Sequence, residues 1–359
     1  MLLVVEQLRR SVPGGIGTYA TGLVRGLADL EPPARPPVRL CASRVRGTDP
    51  LVSLGLPLET LALPSRALVK AWDLGAVAVG RGYEVVHSVS IAAPPSAVPL
   101  VVTVHDLAAL RLPDAFPGRG RRWHAAALAR VARRASWFAV PSAEVAQELR
   151  DVLPPSKAER VVVIEEGADH LPPPDHPAAV ALLRRLGVGS EFLLAVGTLE
   201  PRKNLGRLFA AYGAVRTRLA EPWPLLVVGP KGWGERAAPP PDGVVLAGRL
   251  PDGVLAALYE RCRCLAYVPL LEGYGLPVVE AMRAGAPVVA SPVPSASGAA
   301  FTVDPRDVES IAEGLLAAST DEAVRSGLVA AGSARVVGLT WRSTALAHVD
   351  LWRRAAGDS

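Results

Sequence analysis

The sequence predicts an α/β protein of two Rossmann-like domains, each built on a parallel sheet. Short β-branched runs alternate with longer helical stretches along almost the whole chain, which is the pattern of strands joined by crossover helices. The 359 residues suffice for about two domains of ordinary size. A stiff segment, Leu171-Pro172-Pro173-Pro174-Asp175, interrupts the alternation near its middle and sets the expected boundary between residues 1–172 and 173–340.

In the first series the candidate strands are 2–5, 38–42, 84–86, 100–104, 137–140 and 161–164, short runs rich in Val, Leu and aromatic residues. A helix is expected from Gly14 to about Leu30, opened by the glycine loop Gly14-Gly15-Ile16-Gly17. The second series places strands at 192–196, 225–228, 244–246, 264–268 and 288–290. Proline is favoured at the first helical position, so a further helix is expected to start at about Pro277 and to end at Gly285, with Pro287 beyond it. Residues 341–356 read as an amphipathic helix with Leu346, Val349, Leu351 and Trp352 near one face, expected to pack back on the first domain.

Composition narrows the function classes. Half of the residues are apolar and a fifth are charged, which excludes wholesale disorder. The formal net charge is +5, and of the 39 basic residues only Lys70, Lys157, Lys203 and Lys231 are lysines. Cys41, Cys262 and Cys264 form neither a disulfide framework nor a zinc pattern, which suits a reducing cytoplasm. No apolar run approaches the roughly 20 residues of a membrane span, and no basic leader precedes Leu2. Arg119, Arg121, Arg122, Arg130, Arg133 and Arg134 crowd one predicted helix with Trp123. That face reads equally as solvated or as a peripheral contact with an anionic membrane on the inner face of the cell. No nucleic-acid-binding module accompanies these arginines.

Ligands of open parallel sheets bind beyond the carboxyl ends of the strands. The unusual residues gather there: the glycine loop after the first strand, His87 after the third, and His105 and Asp106 after the fourth. In the second series residues 197–204, 229–234 and 272–280 follow strands. Gly273 and Gly275 allow close backbone approach and aim a helix N-terminus at an anion such as phosphate. Glu280 is expected in the first helical turn and Glu272 at the mouth of the same pocket, two carboxylates able to accept hydrogen bonds from a ribose and a second sugar. A lone glycine loop at Gly15 and Gly17 reads equally as a tight turn. A lone strand-end histidine such as His105 is more often structural, and Asp106 either orients its imidazole or caps the next turn.

The segment LEGYGLPVVEAM at 271–282 resembles the EGxGLPxxEA signature of family 4 retaining glycosyltransferases, which have the GT-B architecture of two Rossmann-like domains facing each other across a cleft. FLLAVGTLEPRKNL at 192–205 is similar to the family's phosphate-contacting loop, VVTVHDL at 101–107 to its histidine segment and GGIGTY at 14–19 to its N-terminal glycine loop. IEEGAD at 164–169 stands where many members have a variant of IPNGVD. Thr198 stands where some relatives place an arginine, and the stretch 291–301 lacks an acidic LPEV-type loop.

The resemblance implies transfer of a sugar from a nucleotide diphosphate donor to a hydroxyl acceptor such as a glycan, lipid carrier or natural product. It implies retention of anomeric configuration. No Asp-x-Asp metal site stands out, and fixed cations with a helix end can replace a divalent ion, so no metal or other cofactor is expected. In that scheme Glu280 holds the ribose, and Lys203 as a point charge and Arg202 as a bidentate fork hold the diphosphate beside the N–H groups near Gly275 and Leu276. Glu272 holds the sugar, His105 lies against the sugar near the reacting carbon, and Gly15 and Gly17 lie beside the phosphates. EPRKN-type loops favour mannose from a GDP donor, with UDP close behind. A GT-B nucleotide-sugar epimerase, an NAD-dependent oxidoreductase and a non-catalytic partner of another transferase are the rival readings; no dinucleotide fingerprint supports the second.

Overall fold

The computed structural model describes residues 1–232 and 240–357. The chain divides into two compact units, one comprising 1–113, 118–170 and 339–359, the other 171–338 with the short stretch 114–117.

The first unit holds a seven-stranded parallel sheet of β1 (Leu2–Val4), β2 (Arg39–Ser43), β3 (Leu58–Leu61), β4 (Val86–Ser88), β5 (Leu100–Thr103), β6 (Trp137–Val140) and β7 (Val161–Val163), in the order β3-β2-β1-β4-β5-β6-β7. Leu2, Val4, Val86, Leu100, Val102, Phe138 and Val140 pack with Trp72, Leu128 and Val131 in one core. Helices cover the faces of such a sheet, so its strands are apolar on both sides and read as continuous runs.

The second unit repeats the plan with β8 (Leu193–Val196), β9 (Leu225–Val228), β10 (Val244–Gly248), β11 (Cys264–Tyr267), β12 (Val288–Ala290) and β13 (Phe301–Thr302), in the order β10-β9-β8-β11-β12-β13, all parallel. Its core joins Leu193, Leu225, Val227, Cys264 and Val289 to Leu208, Tyr212, Ile311 and Leu315. In each sheet the strand order reverses direction once, between β1 and β4 and between β8 and β11, and a ligand crevice is expected at those points.

Two sequence expectations change. The edge strands β3 and β13 were absent from the sequence reading. β3 is only half-buried and β13 has two residues, so neither carries a strong apolar pattern. The strand expected at 84–86 runs over Val86–Ser88, which moves His87 from the strand end into the strand, fully buried. Of the loop 229–234, residues 233 and 234 lie outside the described residues.

His87 belongs to a hydrogen-bond chain that docks the last helix, Trp341–Ala356. Trp352 Nε1 lies 3.3 Å from His87 Nδ1, and His87 Nε2 lies 2.8 Å from Thr103 Oγ1. Thr103 Oγ1 is 2.9 Å from the Tyr19 hydroxyl, Tyr19 is 2.7 Å from His348 Nε2, and His348 Nδ1 is 2.9 Å from the Thr344 carbonyl. The indole can only donate and the carbonyl can only accept, so every proton between them points from Trp352 toward Thr344. Both histidines are therefore neutral. Burial agrees, lowering His348 to about 4 and His87 well below the ordinary histidine value.

The same helix lies against the Gly14–Ala28 helix because two glycines remove side chains from the contact. A Cβ on Gly22 would stand 2.2 Å from the Trp341 ring, and one on Gly26 would stand 2.0 Å from the Trp341 carbonyl oxygen. Trp341 N–H donates to Asp169 Oδ1 at 2.8 Å. Gly26→Ala therefore forces the two backbones apart. It should lower unfolding stability by about 1–3 kcal/mol, the usual cost of overpacking, read as a fall in the urea midpoint at unchanged slope.

Candidate functional site

The second sheet places its chemistry at the β8/β11 switch point. The loop after β8 carries Glu200-Pro201-Arg202-Lys203-Asn204, and the loop after β11 carries Glu272. Asn204 sits in the left-handed region at φ 60°, tolerable for asparagine, and its buried amide donates to the carbonyls of Val268 at 3.0 Å and Pro305 at 2.7 Å. That bridge fixes the cation loop against the end of β11. Lys203 Nζ then lies 2.8 Å from the Tyr267 hydroxyl and 3.0 Å from Glu272 Oε2, and Tyr267 donates to the same Glu272 oxygen at 2.6 Å. Burial, above all, raises the Tyr267 phenol. The Glu280 and Glu200 charges raise it further and Arg202 opposes them, so Tyr267 is a proton donor at every working pH.

Arg202 is more heavily engaged than a free diphosphate fork. Its Nε and Nη2 reach Glu200 Oε1 at 3.1 and 2.8 Å, while Nη1 reaches the Leu271 carbonyl at 3.1 Å and pairs with Glu272 Oε1. Two carboxylates thus offset two cations, all four largely buried. Glu272 spans Lys203, Tyr267 and Arg202, so it occupies the cations as an anionic ligand would.

Beside this network the Leu276–Arg283 helix starts from Gly275 at φ +104°, without a side-chain cap; Pro277 has no N–H to offer, and Val278 N–H donates to the Gly275 carbonyl at 3.0 Å. A Cβ on Gly275 would meet Ser295 Oγ at 2.8 Å, and that hydroxyl donates to the Gly275 carbonyl at 2.9 Å. The segment 291–301 therefore supports the glycine loop through a buried serine instead of an acidic group. Glu280 is the fifth residue of the helix, one place further in than a start at Pro277 makes it, because the helix opens at Leu276. It is buried and accepts from Tyr259 at 2.7 Å. Tyr267 senses Arg202, Glu280 and Glu200 together, so Lys203, Glu272 and Glu280 share one electrostatic neighbourhood.

In the first unit the Gly14–Ala28 helix likewise lacks a side-chain cap, and the loop before it is tied by Gln7 Nε2 to the Pro13 carbonyl at 2.8 Å. The two glycines differ. No atom stands within 4 Å of a Cβ on Gly15, whereas one on Gly17 would stand 2.3 Å from Pro13 Cβ. Gly17 is thus required by the turn itself, which is the structural alternative the sequence left open. His105 lies just beyond β5, its Nδ1 3.3 Å from Glu166 Oε1 and its Nε2 3.0 Å from the Val89 carbonyl, with Tyr19 edge-on at 4.7 Å between ring centroids. Asp106 caps the next turn, accepting from Ala108 N–H at 2.9 Å, and Glu166 holds the imidazole. Sequence reasoning missed Tyr267, Tyr259, Ser295 and Glu166 as site residues. Glu166 and Ser295 carried a signal, each lying in a segment, IEEGAD and 291–301, that departs from its family pattern.

Along the Gly118–Arg134 helix, Ala127, Leu128 and Val131 are buried. Arg130 pairs with Asp73 and Arg134 donates to the Trp72 carbonyl, while Arg119, Arg121, Arg122 and Arg133 are exposed. Among the described residues no helix is long and apolar enough to cross a membrane.

Two family models match the chain: Glycosyltransferase Family 4 over residues 13–170 and Glycosyl transferases group 1 over residues 190–321. The chain is 30% identical to O-antigen chain mannosyltransferase B of Escherichia coli over 173 residues, 45% of each chain. It is 29% identical to the Escherichia coli serotype-specific mannosyltransferase WbdA over 293 residues, 75% of this chain and 35% of the relative. The matches thus span less than half the length of these relatives. Among solved structures, sucrose-phosphate synthase from Thermosynechococcus elongatus superposes with a TM-score of 0.72 at 18% identity, covering 100% of this chain and 99% of that one. HepE from Anabaena, in complex with UDP and glucose, superposes with a TM-score of 0.71 at 17% identity, covering 97% and 98%.

The buried Glu280 carboxylate gives the site its own stability test. Tyr259→Phe removes one donor from it and should cost about 1–3 kcal/mol, measured by chemical denaturation at neutral pH. An unchanged midpoint would show that the Tyr259 bond contributes nothing.

Proposed function

The chain belongs to the family 4 glycosyltransferases of the group 1 type and has the GT-B fold, and on that premise we propose that it moves a hexose from a nucleotide diphosphate donor to a hydroxyl acceptor with retention of configuration. The observation that carries this reading is the Lys203–Tyr267–Glu272 network at the β8/β11 switch point, beside an uncapped helix N-terminus. A diphosphate entering there takes Lys203 from Glu272 and meets the backbone N–H groups near Gly275 and Leu276 at the positive end of the 276–283 helix. Glu272, relieved of one cation, accepts hydrogen bonds from sugar hydroxyls, and Glu280 does the same for the ribose. Lys203 and the helix end then stabilise the charge that develops on the departing diphosphate. Arg202 braces the two loops and neutralises Glu272.

Mannose is the proposed sugar, since the relatives above are mannosyltransferases. GDP is the first donor base to test and UDP the second, the latter because the Anabaena neighbour carries UDP. The acceptor is a glycan, a lipid-linked glycan or a small hydroxylated product. Fixed cations take the place of a divalent ion in this scheme, so the reaction needs no metal. The exposed arginines of the 118–134 helix suit peripheral contact with an anionic membrane from the cytoplasmic side. An epimerase on the same fold is less well supported, given the mannosyltransferase relatives.

Lys203→Ala and Glu272→Ala should each reduce transfer by on the order of 10²-fold or more in protein that still folds; full turnover by either variant rules out the assignment. Chelation by EDTA should leave the transfer rate unchanged. Thermal-shift screening of nucleotides should single out the donor base, because a ligand at 100 times its Kd adds about 2.7 kcal/mol; no shift with either GDP or UDP contradicts the donor site.

A further inference from the structure

Both ring nitrogens of His105 face acceptors. Nδ1 lies 3.3 Å from the Glu166 carboxylate and Nε2 lies 3.0 Å from the Val89 carbonyl, and neither partner can donate when Glu166 is ionised. A neutral imidazole has one N–H and one lone pair, so it would set that lone pair against an oxygen lone pair on one side. Only the imidazolium satisfies both contacts. The pair is largely withdrawn from water, with 12% of the His105 side chain and 4% of the Glu166 side chain exposed, so salt screens it weakly.

The other groups packed here do not compete for the charge. Tyr19 stands edge-on with its hydroxyl committed to Thr103 and His348. His87 and His348 are held neutral by the chain from Trp352 to Thr344, and Asp106 adds a negative charge one residue away. Glu166 stands where many family members carry the asparagine of an IPNGVD-type segment, an amide that brings no charge.

We propose that Glu166 is a positioning residue that holds His105 as an imidazolium, so that the end of β5 carries a fixed positive charge. Both N–H groups are spent on protein acceptors, so a ligand oxygen meets the charge of the ring and not a free donor. Burial by itself pulls the ring down. The Glu166 hydrogen bond and charge, with the Val89 carbonyl and Asp106, outweigh it and raise His105 above the ordinary histidine value. The sign follows: stability from this pair is fully present below the ordinary value and is lost as pH rises through the raised one.

The test is an NMR titration of the His105 ring in the full chain, its signal assigned by loss in His105→Gln. The parent ring should titrate above about 6.5, and Glu166→Gln should weaken its proton affinity at least tenfold. Glu166→Asp, which keeps the charge, should restore most of that loss. A parent ring titrating at or below the ordinary value overturns the proposal even if Glu166→Gln fails to fold. A ring indifferent to Glu166→Gln, or an Asp variant that behaves like Gln, overturns it as well. The titration needs no sugar transfer, so it separates this inference from the proposed activity, on which only its consequence for turnover rests. If that activity holds, Glu166→Gln should move the alkaline limb of the transfer pH profile toward acid, with the donor KM at low pH little changed; an unmoved limb counts against the proposal.

Discussion

Charge withdrawn from water has to be paired, and this constraint organises the second unit's site. Arg202 and Lys203 are both largely buried, and each requires an anion. Glu200 and Glu272 supply it from the protein. Glu200 sits on the cation loop itself and keeps Arg202 in place, whereas Glu272 comes from the neighbouring strand end and reaches both cations. In the proposed reaction Glu272 is the member of the set that an incoming diphosphate replaces. Tyr267 ties the two together, because burial keeps its phenol protonated and it accepts from Lys203 while donating to Glu272.

The first unit solves a related problem by the opposite means. Its buried histidines His87 and His348 stay neutral because a one-directional chain of hydrogen bonds satisfies each nitrogen without a charge. His105, a few ångströms away across the Tyr19 ring, meets a carboxylate and is charged. Three imidazoles in one neighbourhood therefore differ in protonation because their partners differ, not because their burial does. The chain also explains why the last helix returns to the first unit: it contributes Thr344, His348 and Trp352 to the relay, and the glycine pair at 22 and 26 gives it backbone contact.

The residues themselves announced two parallel sheets, the helix opening near Pro277, the closing helix over 341–356 and the gathering of glycines, cations and carboxylates at strand ends. These follow from local patterns, since β-branched runs, a proline at a helix start and glycine punctuation act within a few residues. Family likeness added Lys203, Glu272, Glu280 and His105 as a set. Only the tertiary structure decided who pairs with whom. Tyr267 and Tyr259 look like ordinary strand and helix apolar positions until the sheet order brings them against Glu272 and Glu280. His87 looks like a strand-end ligand until β4 shifts by two residues and Trp352 arrives from the far end of the chain. Of the two roles open to Asp106 the structure takes the cap, because hydrogen-bond direction and reach, which no spacing encodes, place the nearer carboxylate on a backbone amide and the distant Glu166 on the imidazole.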